Sequence, residues 1–260
     1  MKTQNSHSSQ KLKKLGLIGG TGPESTIMYY RQLAYGVKDR LDAECFPPLV
    51  IESLSVFEVL RFCEQRDYAG LAEYILRGVG VLAAAGAEFA TLTGITPHIV
   101  FDEVASKAPI PLVSIIGAAC AHAKSQGFER LALLATLPTM RGEFFQKPFK
   151  REGIEVLLPS TAEQDFIGGK IKSEIEHGTI KPATKAAFVQ IARRLVLQEG
   201  AQAVVLGCTE LPLLFGAAQN LGEFDENGSD LKNEVKGSVN APLIDVVRVH
   251  INELINMITA

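Results

Sequence analysis

Cys208 stands in Gly207-Cys208-Thr209-Glu210, directly after the apolar run 203–207. A thiol at a strand end, ahead of a helix expected to start near Glu210, can work as a base or nucleophile because helix N-termini lower thiol pKa. A lone cysteine is also a common inert core residue. The second candidate is the turn 19–26, Gly-Gly-Thr-Gly-Pro-Glu-Ser-Thr, which follows an apolar run and opens a helix. Its backbone N–H groups, with the hydroxyl of Thr21, form a cradle for a carboxylate or phosphate. Ser25 occupies the place of the third glycine of a dinucleotide fingerprint, so nucleotide binding is not indicated. A tight turn with a Ser or Thr cap is the plainer alternative. Thr93, Thr96, Thr136, Thr139 and Thr209 lie just past other apolar runs. Hydroxyls there hold a carboxylate without adding charge, although caps and turns use the same residues. His98 follows Pro97 on the opening turn of a predicted helix, either bonded to local backbone or facing the site. Glu210 either orients its turn or lines the pocket. His7, His122, His177 and His250 show no partner spacing.

These residues need elements to position them. Short apolar runs at 15–20, 47–54, 89–94, 110–115, 131–136, 153–159, 203–209 and 241–246 alternate with longer amphipathic stretches such as 68–85 and 182–198. Runs this short and this apolar suit strands buried on both faces by helices, hence a parallel sheet in an α/β fold. Laying the second half over the first reveals a repeat. GAEFATLTGITPH (86–98) falls on GAQAVVLGCTELP (200–212), LGLIGGTGP (15–23) on LALLATLPT (131–139), and PLVSII (111–116) on PLIDVV (242–247), all in the same order. The polar stretch 216–240 accounts for the longer spacing of the last pair and reads as a surface insertion. Duplication predicts two similar Rossmann-like domains, each with a small parallel sheet, related by a pseudo-twofold axis with a crevice between them. The expected division is a disordered tail at 1–11, a first domain of 12–112 plus about 242–260, and a second of 113–241. Ligands of open parallel sheets bind at the carboxyl ends of strands, so Thr21, Gly94, Thr136 and Cys208 are expected to converge.

Composition narrows the function classes. The 260 residues carry 26 Lys and Arg against 29 Asp and Glu, with no basic block after residue 14, so no nucleic-acid or acidic-membrane partner is expected. No apolar run approaches the roughly 18 residues that a membrane helix requires. Cys45, Cys63, Cys120 and Cys208 form no CxxC pair, so no metal site is expected, and without a secretory segment they read as reduced cytoplasmic thiols. The face formed by Ile75, Val79 and Leu82 is a candidate homodimer interface or, equally, core.

Gly-Leu-Ile-Gly-Gly-Thr-Gly-Pro-Glu-Ser-Thr (16–26), Thr-Gly-Ile-Thr-Pro-His (93–98) and Gly-Cys-Thr-Glu-Leu (207–211) together resemble the aspartate/glutamate racemase family across about residues 14–260. The resemblance implies racemisation of a small amino acid, expected to be acidic, without pyridoxal phosphate or metal, in a protein commonly dimeric. In that family two thiols on opposite faces of the substrate exchange its α-proton, since inversion requires delivery to the far side. Hydrogen-bond donors must also stabilise the enolate-like charge. The position of the first thiol, or of its threonine substitute, falls here on Gly94, and that of the following asparagine on Ile95. The internal repeat independently sets Gly94 opposite Cys208. The lysine of acidic-substrate members falls near Phe166. Three functions follow: a racemase with Cys208 as one base and Thr93, Thr96, His98 or a water on the other face; a single-thiol decarboxylase resembling arylmalonate decarboxylase; or a carboxylate-binding protein without turnover.

Overall fold

The computed structural model describes residues 11–215, 239 and 241–260. The expected insertion, apart from residue 239, and the expected tail, apart from residue 11, fall outside the described residues. Strands β1 (Leu15–Gly19), β2 (Leu49–Ser53), β3 (Phe89–Leu92) and β4 (Leu112–Val113) form one sheet in the order β2-β1-β3-β4. Strands β5 (Arg130–Ala135), β6 (Glu155–Leu157), β7 (Ala203–Gly207) and β8 (Leu243–Asp245) form a second in the order β6-β5-β7-β8. Every ladder is parallel. The sequence repeat is therefore a structural one, with β1 matching β5, β3 matching β7 and β4 matching β8. Strands β1, β3 and β7 are buried at every residue and β5 at all but Arg130, which explains why, Arg130 aside, Thr91 is their one polar side chain.

The helices follow from capping and periodicity. Helix α1 (Pro23–Leu41) opens with proline in its first turn and buries Tyr29, Leu33 and Val37 at four-residue spacing. After α2 (Val56–Glu64), Asp67 caps α3 (Tyr68–Ala84) by accepting from the Gly70 N–H. Ile75, Val79 and Leu82 of α3 are wholly buried in the first unit's own core. That face is therefore not available as a dimer interface. Fully burying such side chains stabilises the fold by about 1.5–3 kcal/mol each.

The repeat extends to the connections. Ser114, after β4, caps α5 (Ile115–Ser125), reached past the short helix α4 (Phe101–Lys107). Later come α6 (Leu137–Arg141), α7 (Glu143–Arg151), α8 (Thr161–Ser173), α9 (Pro182–Leu197) and α10 (Leu211–Leu214). After β8, Asp245 caps α11 (Val246–Thr259), accepting from the N–H groups of Val247 and Arg248. Helices α5 and α11 pack on each other, and α11 also packs on α1. Strand β8 completes the second sheet through Val205↔Ile244, as β4 completes the first through Thr91↔Val113, and only the helix that follows returns to the first unit.

A buried polar chain fixes that return. Thr91 Oγ1 donates to the Val113 carbonyl at 2.8 Å and meets His250 Nε2 at 3.1 Å, while His250 Nδ1 lies 2.7 Å from the Tyr29 hydroxyl. Because the Thr91 proton is spent on Val113, Nε2 carries the histidine proton and Nδ1 accepts from Tyr29. Burial, with His98 nearby, lowers the His250 pKa to about 3, so the ring is neutral. The larger apolar cluster runs through both units, joining Leu17 and Tyr29 to Leu133, Phe145 and Phe188.

Candidate active site

In each sheet the chain leaves the first strand toward one side and returns with the third on the other. The tips of β1 and β3, and those of β5 and β7, therefore flank topological switch points, where open parallel sheets bind ligands. The pairing Ile18↔Leu92 sets Thr93 and Gly94 beside the 19–26 turn, and Ala135↔Gly207 sets Thr136 beside Cys208.

Hydroxyls hold the first tip together. Gly20 has φ +75°, and a β-carbon there would lie 2.0 Å from the Leu54 carbonyl oxygen, so only glycine fits. Its N–H donates to Thr26 Oγ1 at 2.9 Å, and Thr26 Oγ1 donates to the Gly22 carbonyl at 3.1 Å. Ser25 Oγ donates to the Thr93 carbonyl at 2.6 Å, and Thr93 Oγ1, wholly buried, donates to the Ile18 carbonyl at 3.1 Å. Thr21 differs: its Oγ1 is sealed from solvent and has no hydrogen-bond partner within the protein. A β-carbon on Gly94 would come within 2.7 Å of that oxygen.

The 94–98 segment is largely structural. Ile95 is buried in the larger apolar cluster, and Thr96, half-buried, opens a 3-10 turn at Thr96–Val100. His98 Nε2 accepts from the Ile115 N–H at 3.3 Å, so Nδ1 carries the proton and donates to the Gly94 carbonyl at 2.9 Å. The ring also stacks on Phe101, with centroids 5.0 Å apart. Burial lowers its pKa to about 4. His98 and Thr93 were expected as substrate contacts; their polar atoms instead tie one backbone segment to another.

At the second tip, Thr136 Oγ1 and Thr139 Oγ1 lie 3.0 Å apart, with Thr139 wholly buried at the start of α6. Cys208 is 6% exposed, and its thiol donates to Glu210 Oε2 at 2.9 Å. Thr209 is half-buried between them in sequence. Burial, then the charge and hydrogen bond of Glu210, and then the charge of Glu176 push the thiol well above its usual pKa. This reverses the expected lowering by a helix N-terminus. Helix α10 has four residues, and the carboxylate of its own N-cap, Glu210, faces the sulfur.

Glu176 gave no signal in the sequence. It sits on a 3-10 turn, Ile175–His177, that follows α8, and burial together with the Glu210 charge raises its pKa. Buried Glu174 holds this turn in place by accepting from Lys170 Nζ at 2.6 Å, Lys181 Nζ at 3.3 Å and Thr184 Oγ1 at 2.6 Å. These partners, Lys170 foremost, lower the Glu174 pKa to about 2. Phe166 packs against Phe188 and lines a groove of about 450 Å³ with Ile191 and Arg194 between α8 and α9. Cys63 lies on α2 and Cys120 in the core on α5, both free thiols. Among the described residues, no three His, Cys, Asp or Glu side chains are grouped to hold a metal ion.

Residues 18–254 match the family described as Asp/Glu/Hydantoin racemase. The chain belongs to that family. It is 30% identical to an aspartate racemase homologue from Pyrococcus horikoshii OT3, with a TM-score of 0.79 over 96% of this chain and all of the other. A Yersinia pestis structure described as a candidate Asp/Glu racemase matches at 26% identity and a TM-score of 0.84, again over 96% of this chain and 100% of that one. The broad specificity amino-acid racemase RacX of Bacillus subtilis strain 168 is 22% identical over 76% of this chain and 85% of its own length. Two parallel sheets of identical order thus carry a racemase-family chain.

Proposed function

We propose that this family member is an amino-acid racemase that works at the α-carbon without a cofactor, with Cys208 as the acid/base on one face of the substrate. The observation that carries this reading is the buried Cys208 thiol at the β7 tip, donating to Glu210 at 2.9 Å. As the α-proton is drawn onto sulfur, the thiol's own proton passes to Glu210. The substrate carboxylate then carries the enolate-like charge, and Thr136, Thr209 and the 19–26 turn supply donors for it. The substrate is a small amino acid, and an acidic one is the first to test. The protein acts in the cytoplasm as a homodimer. Ile27, Tyr30, Phe57 and Leu60 are exposed apolar side chains of the first unit, and a light-scattering mass of two chains is the expected result. Among the described residues, no helix is long and apolar enough to cross a membrane.

A second reading is favoured by the same thiol. Held protonated, Cys208 suits delivery of a proton to a carbanion left by loss of carbon dioxide, and Gly94 supplies no opposing thiol. The assay is deuterium wash-in at Cα in heavy water with L- and D-amino acids, run beside carbon dioxide release from substituted malonates. Exchange with inversion supports the racemase, and release supports the decarboxylase. In either case Cys208→Ser is expected to abolish turnover while the melting temperature stays within a few degrees. Undiminished activity in that variant would remove Cys208 from the chemistry.

A further inference from the structure

The first tip bears hydroxyls from Thr21, Ser25, Thr26 and Thr93, and three of them are spent. Ser25 donates to the Thr93 carbonyl, Thr26 to the Gly22 carbonyl, and Thr93 to the Ile18 carbonyl. His98 has both ring nitrogens engaged with backbone. Among the described residues, Thr21 Oγ1 is the buried side-chain nitrogen or oxygen that has no partner within the protein. Leaving such a group unsatisfied costs about 1–3 kcal/mol, so a hydroxyl kept in this state at a ligand-binding strand tip points to something it bonds in use.

Its position is specific. The repeat makes Gly94 the counterpart of Cys208, and a side chain starting from Gly94 would meet Thr21 Oγ1 at 2.7 Å from its first carbon. The threonine hydroxyl fills the space into which a first-half thiol would grow. A glycine at 94 and a threonine at 21 are therefore coupled choices: one vacates the space and the other enters it from the turn after the neighbouring strand.

Building on the Cys208 reading above, we infer that Thr21 is the second catalytic residue, delivering the proton to the face of the substrate opposite Cys208. The step balances as follows. On one face the Cα–H bond breaks and an S–H bond forms, the thiol's former proton goes to Glu210, and the electron pair moves into the substrate carboxylate as an enediolate. On the other face the Thr21 O–H bond breaks, a new Cα–H bond forms, and Oγ1, sealed from bulk solvent, takes a proton from a water carried into the crevice with the substrate. The hydroxide so formed is neutralised by the proton that Glu210 took up. An alcohol is a far weaker acid than a thiol, so the relay through water matters: it spares the enzyme a free alkoxide.

The test uses the full chain in heavy water with L- and D-aspartate, glutamate, alanine and lysine as probes, measuring α-deuterium exchange with retention separately from inversion. Thr21→Val keeps the side-chain shape and removes the hydroxyl; inversion is expected to fall by about 100-fold or more while exchange falls less than about tenfold. Thr21→Ser keeps the hydroxyl and is expected to invert within about tenfold of the parent. Gly94→Cys combined with Thr21→Ala frees the space for a second thiol, and is expected to invert faster than Thr21→Ala alone. Parent-like inversion by Thr21→Val, or equal loss of exchange and inversion, overturns the assignment of Thr21 as proton donor. Parent enzyme that exchanges but never inverts overturns it too, while leaving Cys208 in place. Absence of both in the parent, or their survival in Cys208→Ser, defeats the Cys208 reading and this inference with it.

Discussion

At the residue scale, the decisive contact is one hydrogen bond. The Cys208 thiol is held protonated by burial and by a carboxylate 2.9 Å away, so the thiol rather than the thiolate is its resting form. Glu210→Gln keeps an acceptor but removes the charge, which lets the thiol pKa fall toward its ordinary range. Iodoacetamide labelling of Cys208 at pH 8, followed by mass spectrometry, is expected to accelerate on the order of three- to tenfold in that variant, because the thiolate is the reactive form. An unchanged rate would mean that burial alone sets the thiol. The motif Gly-Cys-Thr-Glu was legible in the sequence, and so was the strand end that carries it. The direction of the pKa shift was not, because a helix N-terminus and a neighbouring carboxylate act oppositely and only the side-chain rotamer decides between them.

At the element scale, strand ladders and turns decide which groups can meet. The β1–α1 turn passes so close to the end of β2 that Gly20 has no room for a side chain. Gly20→Ala combines a left-handed backbone with a carbonyl contact, and is expected to lower stability by about 2–4 kcal/mol, read from the urea midpoint. A loss within about 0.5 kcal/mol would show that the turn yields without cost. Helices 68–85 and 182–198 read from periodicity appear as Tyr68–Ala84 and Pro182–Leu197, each ended by a glycine of positive φ, Gly86 and Gly200. The segment after 240 was harder. Its apolar run suits either sheet, and only the pairing Val205↔Ile244 assigns the strand to the second, while its helix packs back on α1.

At the scale of the whole molecule, two buried neutral histidines tie the halves together and make stability depend on pH. His98 joins Gly94 to the start of α5, and His250 joins α11 to α1 and β3. Their folded pKa values, about 4 and about 3, lie below the unfolded value of about 6.5. Their stabilising contribution is therefore complete above about pH 6.5 and is lost as pH falls toward 4 and 3, because only the unfolded chain takes up the protons. Asp245, raised by burial, protonates earlier in the folded state and offsets part of the loss. Unfolding free energies from urea titrations followed by circular dichroism are expected to drop by about 3–4 kcal/mol between pH 7 and pH 5, less this offset. Constant midpoints across that range would mean the histidines are not held neutral.

The sequence by itself determined the α/β class, the duplicated unit, the succession of apolar strands along the chain and the positions of Cys208 and the 19–26 turn. All of these are written in local hydrophobic period and in glycine-marked turns, which a linear reading preserves. Only the tertiary structure decided that Thr21 confronts Gly94, that Glu176 shares the field of the thiol, and that His250 reaches Tyr29 across 221 positions. Those meetings depend on strand register and on which polar atoms burial leaves without a partner, and neither quantity exists until the two sheets have closed on one core.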